Sequence, residues 1–130
     1  MNMERTNSQT LINLARSFAG ESQAGLRYQI IAEMCNKQGF KCLQDQIKEI
    51  AKNEVEHAKL FYDLISDNNA NAANINIEAG FPFNGKTIEE GLKFSMEQEK
   101  SEADRIYPSF AETAEKEVFT EIDKKFRAVA

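Results

Sequence analysis

The sequence of 130 residues contains no tryptophan, two prolines, two cysteines and a single histidine. Few prolines fit a helical protein, because proline breaks a helix interior. Six residues separate Cys35 from Cys42, which matches neither a C-x-x-C redox pair nor a zinc-binding spacing. We therefore interpret both as reduced cysteines in or near the core.

Long apolar runs are also lacking. No segment is long and apolar enough to span a bilayer, and the polar first ten residues have no signal-peptide core. The net charge of −5 gives the protein a field that repels nucleic acid and anionic membranes. We therefore expect a cytoplasmic protein that binds neither of them. Its length suits one domain, residues 1–130.

Hydrophobic periodicity predicts four helices. The first ends before Gly39, and the third begins near Thr87, a candidate N-cap with Glu90 three residues later. An Asn-, Gly- and Ala-rich segment containing Pro82 precedes the third helix. This order predicts an all-α, ferritin-like four-helix bundle with one long crossover and a shortened fourth helix. The predicted helices cover about 10–36, 41–66, 87–116 and 118–130, with the crossover loop at about 67–86.

Charged residues interrupt the apolar stripes of three predicted helices at positions where leucine is expected. A hairpin turn near residues 37–38 sets Glu21 and Glu54 at the same height, and His57 lies three residues after Glu54 on the same face. Glu99 and Glu102 form a similar pair on the third helix. Four carboxylates and one imidazole are therefore expected in one layer of the bundle.

Four carboxylates in a dry interior need positive charge, since desolvation and repulsion together cost several kcal/mol. No lysine or arginine lies on these stripes at that height, so bound metal is the economical solution. An oxygen-rich set with one imidazole favours iron or manganese over structural zinc, and the number of carboxylates suggests two ions. Taken one at a time, each pair has an ordinary alternative: a surface ion pair for Glu54 and His57, a solvated face for Glu99 and Glu102.

The motifs G-E-S-Q-A, E-x-x-H-A and E-x-x-E-x-x-x-x-Y-P resemble, in combination, the diiron domain of the rubrerythrins, and the resemblance covers nearly the whole chain. It implies two iron ions, with manganese or zinc as possible substitutes. The implied metal ligands are Glu21, Glu54, His57, Glu99 and Glu102. The resemblance further implies that Tyr28 and Tyr107 act in catalysis by hydrogen-bonding ligating carboxylates; the alternative is that both are core aromatics.

The sequence departs from the family in two ways. It lacks the four-cysteine rubredoxin domain, so any electron donor is expected to be a separate protein. The segments AEMCNKQGF (32–40) and AETAEKEVF (111–119) match at an offset of 79, which indicates a repeated hairpin. That offset places counterparts of Glu54 and His57 at positions 133 and 136, where the family has a second E-x-x-H, beyond Ala130. Three interpretations stay open: the sequence is a fragment, a partner chain completes the site, or the site is incomplete. We favour a fragment.

The resemblance implies an enzyme, a diiron peroxidase that reduces hydrogen peroxide to water in oxidative-stress defence. Its electrons would come from an external donor such as rubredoxin, and a homodimer is expected. A ferritin-like ferroxidase or iron-handling protein is the first alternative. The second is a truncated helical bundle whose incomplete metal site has no activity.

Overall fold

The computed structural model describes residues 8–68, 74–117 and 119–130, which form helices and loops without a strand among them. The helices are α1 (Gln9–Lys37), α2 (Lys41–Asn68), α3 (Ile88–Ser101), α4 (Tyr107–Lys116) and α5 (Thr120–Val129), and a π-helical turn, Glu102–Ile106, connects α3 to α4. α3, the π-helical turn and α4 follow one another directly and together form the single third helix expected from the sequence. The described residues thus confirm the all-α, ferritin-like four-helix architecture.

The helix boundaries follow local sequence signals. Gly39 adopts a positive φ of 80°, which lets the chain leave α1 and begin α2 two residues later. The Thr87 side chain accepts a hydrogen bond from the Glu90 backbone N–H, so Thr87 caps α3 as predicted. The fourth helix begins two residues later than predicted, and Val118 lies outside the described residues, as does 69–73 of the predicted crossover loop.

A π-helical turn interrupts the third helix where the sequence pattern predicted regular α-helix. In this turn the Tyr107 backbone N–H bonds to the Glu102 carbonyl, five residues back. Pro108 supplies the physical reason, because a proline ring clashes with the carbonyl four residues earlier and offers no N–H. Widening the helix by one residue relieves that clash, and π-turns of this kind are frequent at functional sites.

Two apolar clusters fill the bundle. One joins the beginning of α1 to the second half of α2, α4 and α5 and includes Leu14, Phe61 and Phe126. The other lies between α1 and α2 towards their shared turn and includes Ile31 and Ile47. Glu21 and Glu54 fall between these clusters along their helices.

Close helix contacts hold the two hairpins together. A Cβ atom at Gly91 would lie 2.9 Å from two side-chain carbons of Ile31, so α3 can approach α1 only with glycine there. At the other end, the Glu117 carboxylate accepts hydrogen bonds from the backbone N–H of Thr10, at 2.8 Å, and from that of Gln9. The second hairpin thus supplies acceptors to the N-terminus of α1, where backbone N–H groups lack helical partners. Within the described ranges, no helix has the length and apolarity needed to cross a membrane.

Candidate metal centre

The first hairpin brings together three of the five predicted metal ligands. One ligand atom from each of Glu21, Glu54 and His57 lies within 4.8 Å of the others. The His57 Nδ1 atom is 3.5 Å from Glu21 Oε2 and 4.0 Å from Glu54 Oε2. Glu21 is 1% exposed and Glu54 5%, while the His57 side chain is 40% exposed. The imidazole therefore stands between two buried carboxylates and solvent.

The third helix brings the other two predicted ligands to the same cavity. Glu99 and Glu102 line a space of about 80 Å³ that Glu21, Glu54 and His57 also line. That volume exceeds the ~15 Å³ needed to hold one water molecule. Glu99 is exposed and Glu102 half-buried, so these two carboxylates form the more open side of the cavity.

Two tyrosines hydrogen-bond carboxylates of the opposite hairpin. The Tyr107 hydroxyl, on α4, donates to Glu21 Oε1 on α1 at 2.5 Å. The Tyr28 hydroxyl, on α1, donates to Glu99 Oε1 on α3 at 3.3 Å. Because Tyr28 and Tyr107 correspond in the internal repeat, the two bonds are related by the pseudo-two-fold symmetry that the repeat imposes. Each bond also orients one carboxylate.

The π-turn accounts for a difference in spacing between the two halves of the internal repeat. Tyr28 is the seventh residue after Glu21, whereas Tyr107 is the eighth after Glu99. The repeat offset alone pairs Glu21 with Lys100, one position beyond Glu99. The extra residue is absorbed in the turn at Glu102–Ile106, so Glu99 still lies where Tyr28 can reach it. The longer Glu99–Tyr107 spacing, together with Pro108, was the signal in the sequence from which the π-turn could have been predicted.

Burial and mutual repulsion raise the pKa values of three carboxyl groups in this cluster, those of Glu21, Glu54 and Glu102. Desolvation is the largest cause for Glu21 and Glu54, and the neighbouring carboxylates of the third helix add to it. Desolvation, then the charges of Glu99 and Glu54, raises the pKa of Glu102 to about 7, although the positive charge of Arg27 partly offsets the rise. Burial likewise raises the pKa of Tyr28 to about 12, so its hydroxyl remains a hydrogen-bond donor at neutral pH.

These shifts predict that the metal-free protein loses stability as the pH rises. A carboxyl group whose pKa is higher folded than unfolded binds more protons in the folded state, so the free energy of unfolding is greatest below the unfolded pKa near 4.5. The free energy of unfolding begins to fall there, continues to fall through about pH 7 as Glu102 ionises, and falls further above pH 7 as Glu54 ionises. We expect a decrease of about 2 kcal/mol between pH 5 and pH 8.

Urea denaturation of chelator-treated protein at several pH values measures this trend. Saturating divalent metal provides the control, because positive charge at the carboxylates favours their ionised forms. With metal bound, the decrease should disappear. A free energy of unfolding that rises between pH 5 and pH 8 in the metal-free protein would contradict the assigned shifts.

The donor set fits a divalent metal. Within the part of the chain that the structure describes, no N–H or hydroxyl group donates a hydrogen bond to the fully buried Glu21 Oε2; its neighbours are His57 Nδ1, at 3.5 Å, and the Glu54 carboxyl group. Among the described residues, no lysine or arginine nitrogen lies within 4.0 Å of an oxygen of the four carboxylates. A buried acceptor of this kind normally has a partner, and a cation between the carboxylates would supply it. Carboxylate oxygens with one imidazole suit iron or manganese.

Comparison with known proteins places the chain among characterised sequences. The rubrerythrin family model matches residues 13–130. A rubrerythrin of Clostridium perfringens is 39% identical over 124 residues, covering 95% of this chain and 63% of its own length. A rubrerythrin of Porphyromonas gingivalis is 38% identical over 132 residues, which cover 100% of this chain and 63% of the relative's own length. That of Nitratidesulfovibrio vulgaris is 34% identical, with 95% and 62% covered.

The chain thus spans about 63% of the length of these curated relatives. The match includes the segments that carry all seven predicted site residues, from Glu21 to Tyr107. Family-model coverage and sequence identity agree, and both agree with the helical bundle and its carboxylate-rich layer. This chain belongs to the rubrerythrin family.

Proposed function

We propose that this protein is a non-haem diiron oxidoreductase that reduces hydrogen peroxide to water with electrons from an external donor. The observation that carries the proposal is the buried, unpartnered oxygen of Glu21, which faces the His57 imidazole in a cavity lined by three further carboxylates. Membership in the rubrerythrin family supports the same chemistry. Two electrons and two protons convert one H2O2 molecule into two waters.

Five side chains would hold the metal in this proposal. Glu21, Glu54 and His57 come from the first hairpin, and Glu99 and Glu102 from the third helix. When bound, a pair of iron ions supplies two electrons and Lewis acidity at the peroxide oxygens. Manganese or zinc would suit parts of the same donor set, but zinc has no redox chemistry to contribute.

The protein's own groups would orient the ligands and limit solvent access. Tyr107 holds Glu21 through one oxygen and leaves the other directed towards the cavity. Tyr28 holds Glu99 on the open side in the same way. The aromatic cluster that includes Phe61 packs against the ring of Tyr107, which itself lines the cavity. Peroxide and protons would therefore enter past Glu99 and the half-exposed His57.

Iron content and peroxide consumption test the proposal in one preparation. Anaerobically purified protein should contain iron, and with excess reductant it should consume peroxide. His57→Ala should reduce iron content and turnover at least tenfold while the circular dichroism stays helical, because removing one ligating residue weakens the site and the imidazole is 40% exposed. Lys52→Ala, an exposed change on the same helix, is the matched control. Unchanged turnover in His57→Ala would reject the assignment.

An iron-handling role is the second candidate, and the exposure of Glu99 at the cavity favours it, because iron ions could enter and leave there. The two functions differ in oxidant and in assembly. A ferroxidase would oxidise Fe(II) with dioxygen faster than with peroxide and would assemble into a large cage. A peroxide reductase would prefer peroxide and remain a small oligomer, which we expect to be a homodimer. Oxygen-electrode rates and sedimentation together separate the two.

A further inference from the structure

A second and larger cavity lies apart from the carboxylate cluster. It has a volume of about 520 Å³ and is formed by α1, the crossover segment and the beginning of α3. None of the five proposed metal ligands lines it. Its volume falls within the ~300–1,000 Å³ typical of small-molecule sites. The metal chemistry proposed above gives this cavity no role.

Arg27 is a half-buried cationic group in the lining of this cavity. Its guanidinium carbon lies 5.0 Å from the centroid of the Phe94 ring and 5.9 Å from that of Phe81. Its Nε donates to the buried Ser95 hydroxyl at 3.0 Å. Within the described parts of the chain, no carboxylate lies within 4.0 Å of Arg27, and its other N–H groups have no acceptor. The Arg27 charge acts at longer range on Glu102, whose pKa it lowers, but Arg27 has no direct ion-pair partner. An anion in the cavity would therefore gain a direct, charge-assisted pair.

Flat aromatic surface surrounds this cation. Phe81 and Phe94 line the cavity together with Phe83, whose ring centroid is 5.2 Å from that of Phe81. Phe83 is 88% exposed, which is unusual for a large apolar side chain that already packs against another ring. Stacking on a planar ligand would remove this ring from water.

Charges at the edge of the cavity do not cancel that of Arg27. Glu90 and Glu97 line it, but both are exposed, and the Glu90 carboxylate already accepts a hydrogen bond from the Lys86 backbone N–H. Lys93 adds a second cation to the lining. Exposed charges are screened by water and salt, whereas a half-buried guanidinium is screened less. The site therefore favours an anion at Arg27.

We propose that this cavity binds a small planar aromatic anion, with the phosphate or carboxylate of the ligand at Arg27 and its ring against Phe81, Phe83 and Phe94. The guanidinium presents N–H groups in the planar geometry that pairs with phosphate or carboxylate. The three phenylalanines supply the stacking surface. This binding needs no metal and does not depend on peroxide chemistry.

Flavin mononucleotide is a suitable probe because it combines a planar ring with a phosphate, and riboflavin has the same ring without the phosphate. Titrating metal-free protein into each compound, with fluorescence as the readout, should show flavin mononucleotide binding at least ~10-fold more tightly, since one charge-assisted pair is worth about 1.4 kcal/mol or more. Arg27→Met should remove that preference, and Phe94→Ala should weaken the binding of both compounds. Arg16→Met, an exposed change on the same helix, should have no effect.

Arg27→Lys provides a second test if the methionine variant folds poorly: it keeps the charge without the planar guanidinium and should retain part of the preference. Equal affinity for the two compounds in the unaltered protein would overturn the proposal. An unchanged preference in a folded Arg27→Met variant would also overturn the proposal. The same holds if the protein forms a dimer that excludes both compounds from the cavity. Because metal-free protein is used, such failures leave the iron and peroxide results unaffected.

Discussion

Replacing Glu54 with glutamine is expected to stabilise the metal-free protein at pH 8 and, in the same variant, to abolish iron binding. Glu54 is 5% exposed, and its pKa is raised first by desolvation and then by the neighbouring Glu21 and Glu99. At pH 8 the folded protein must either keep a proton on this carboxyl or bury its charge. Glutamine has nearly the same shape and carries no charge.

The expected gain is about 2 kcal/mol in the free energy of unfolding at pH 8, falling towards zero below pH 4.5, where the carboxyl is protonated whether folded or unfolded. The full linkage is not recovered, because the amide is also a buried polar group that needs partners. Iron binding should be lost, because a neutral amide is a far weaker ligand than a carboxylate. A stabilising substitution that removes a ligand is typical of a functional site built from groups that destabilise the fold.

The measurements are urea denaturation of metal-free protein at pH 5 and pH 8, and iron content after anaerobic reconstitution. Glu49→Gln, an exposed carboxylate on the same helix, should change neither quantity. Destabilisation of the Glu54→Gln protein at pH 8 would mean that a positive group not seen among the described residues already compensates the carboxylate. Retained iron would exclude Glu54 as a ligand.

Local rules predicted the parts of the fold that depend on neighbouring residues. The turn at Gly39 follows from a left-handed conformation that glycine adopts easily, and the start of α3 follows from the Thr87 cap. The symmetric hairpin also set Glu21 and Glu54 at one height, as the structure has them. These features depend on the 3.6-residue period and on capping, which can be read from a single sequence.

Long-range packing decided what the sequence could not show. Phe18 lies three residues before Glu21 and Ile50 four before Glu54, which places both on the apolar stripes that these glutamates interrupt, yet they are 38% and 39% exposed. Gln44 and Ser17, by contrast, are buried. Which of two adjacent helix faces is covered depends on the neighbouring helices, and periodicity alone does not specify them. The Arg27 cavity was missed for the same reason, since its walls come from segments far apart in the chain.

Truncating Phe126 should cause the largest loss of stability, although this residue lines neither cavity. Phe126 is fully buried on α5, with its ring centroid 5.6 Å from those of Phe61 and Phe110. Its ring also stacks on Tyr107, with centroids 6.1 Å apart and planes inclined by 28°. Phe126→Ala removes a large side chain that contacts three other rings, and comparable truncations cost about 3–5 kcal/mol.

The same substitution should weaken the metal site through Tyr107. The Tyr107 hydroxyl holds Glu21, and its ring is supported by Phe61 on one helix and Phe126 on another. Without Phe126 the ring gains freedom, so the orientation of Glu21 becomes less defined and iron affinity falls. Thermal denaturation of the metal-free protein and iron titration of the folded fraction measure the two effects separately.

Phe126→Leu keeps most of the apolar volume and should cost much less stability, yet it still removes the stacked ring. This variant therefore separates packing from orientation: a stable Phe126→Leu protein with weakened iron binding indicates that the ring positions Tyr107. Phe40→Ala, at the exposed hairpin turn, should alter neither property. If Phe126→Ala cost less than about 1 kcal/mol, α5 would not contribute to the core as the structure shows. In that case, the carboxylate layer would depend mainly on the first three helices.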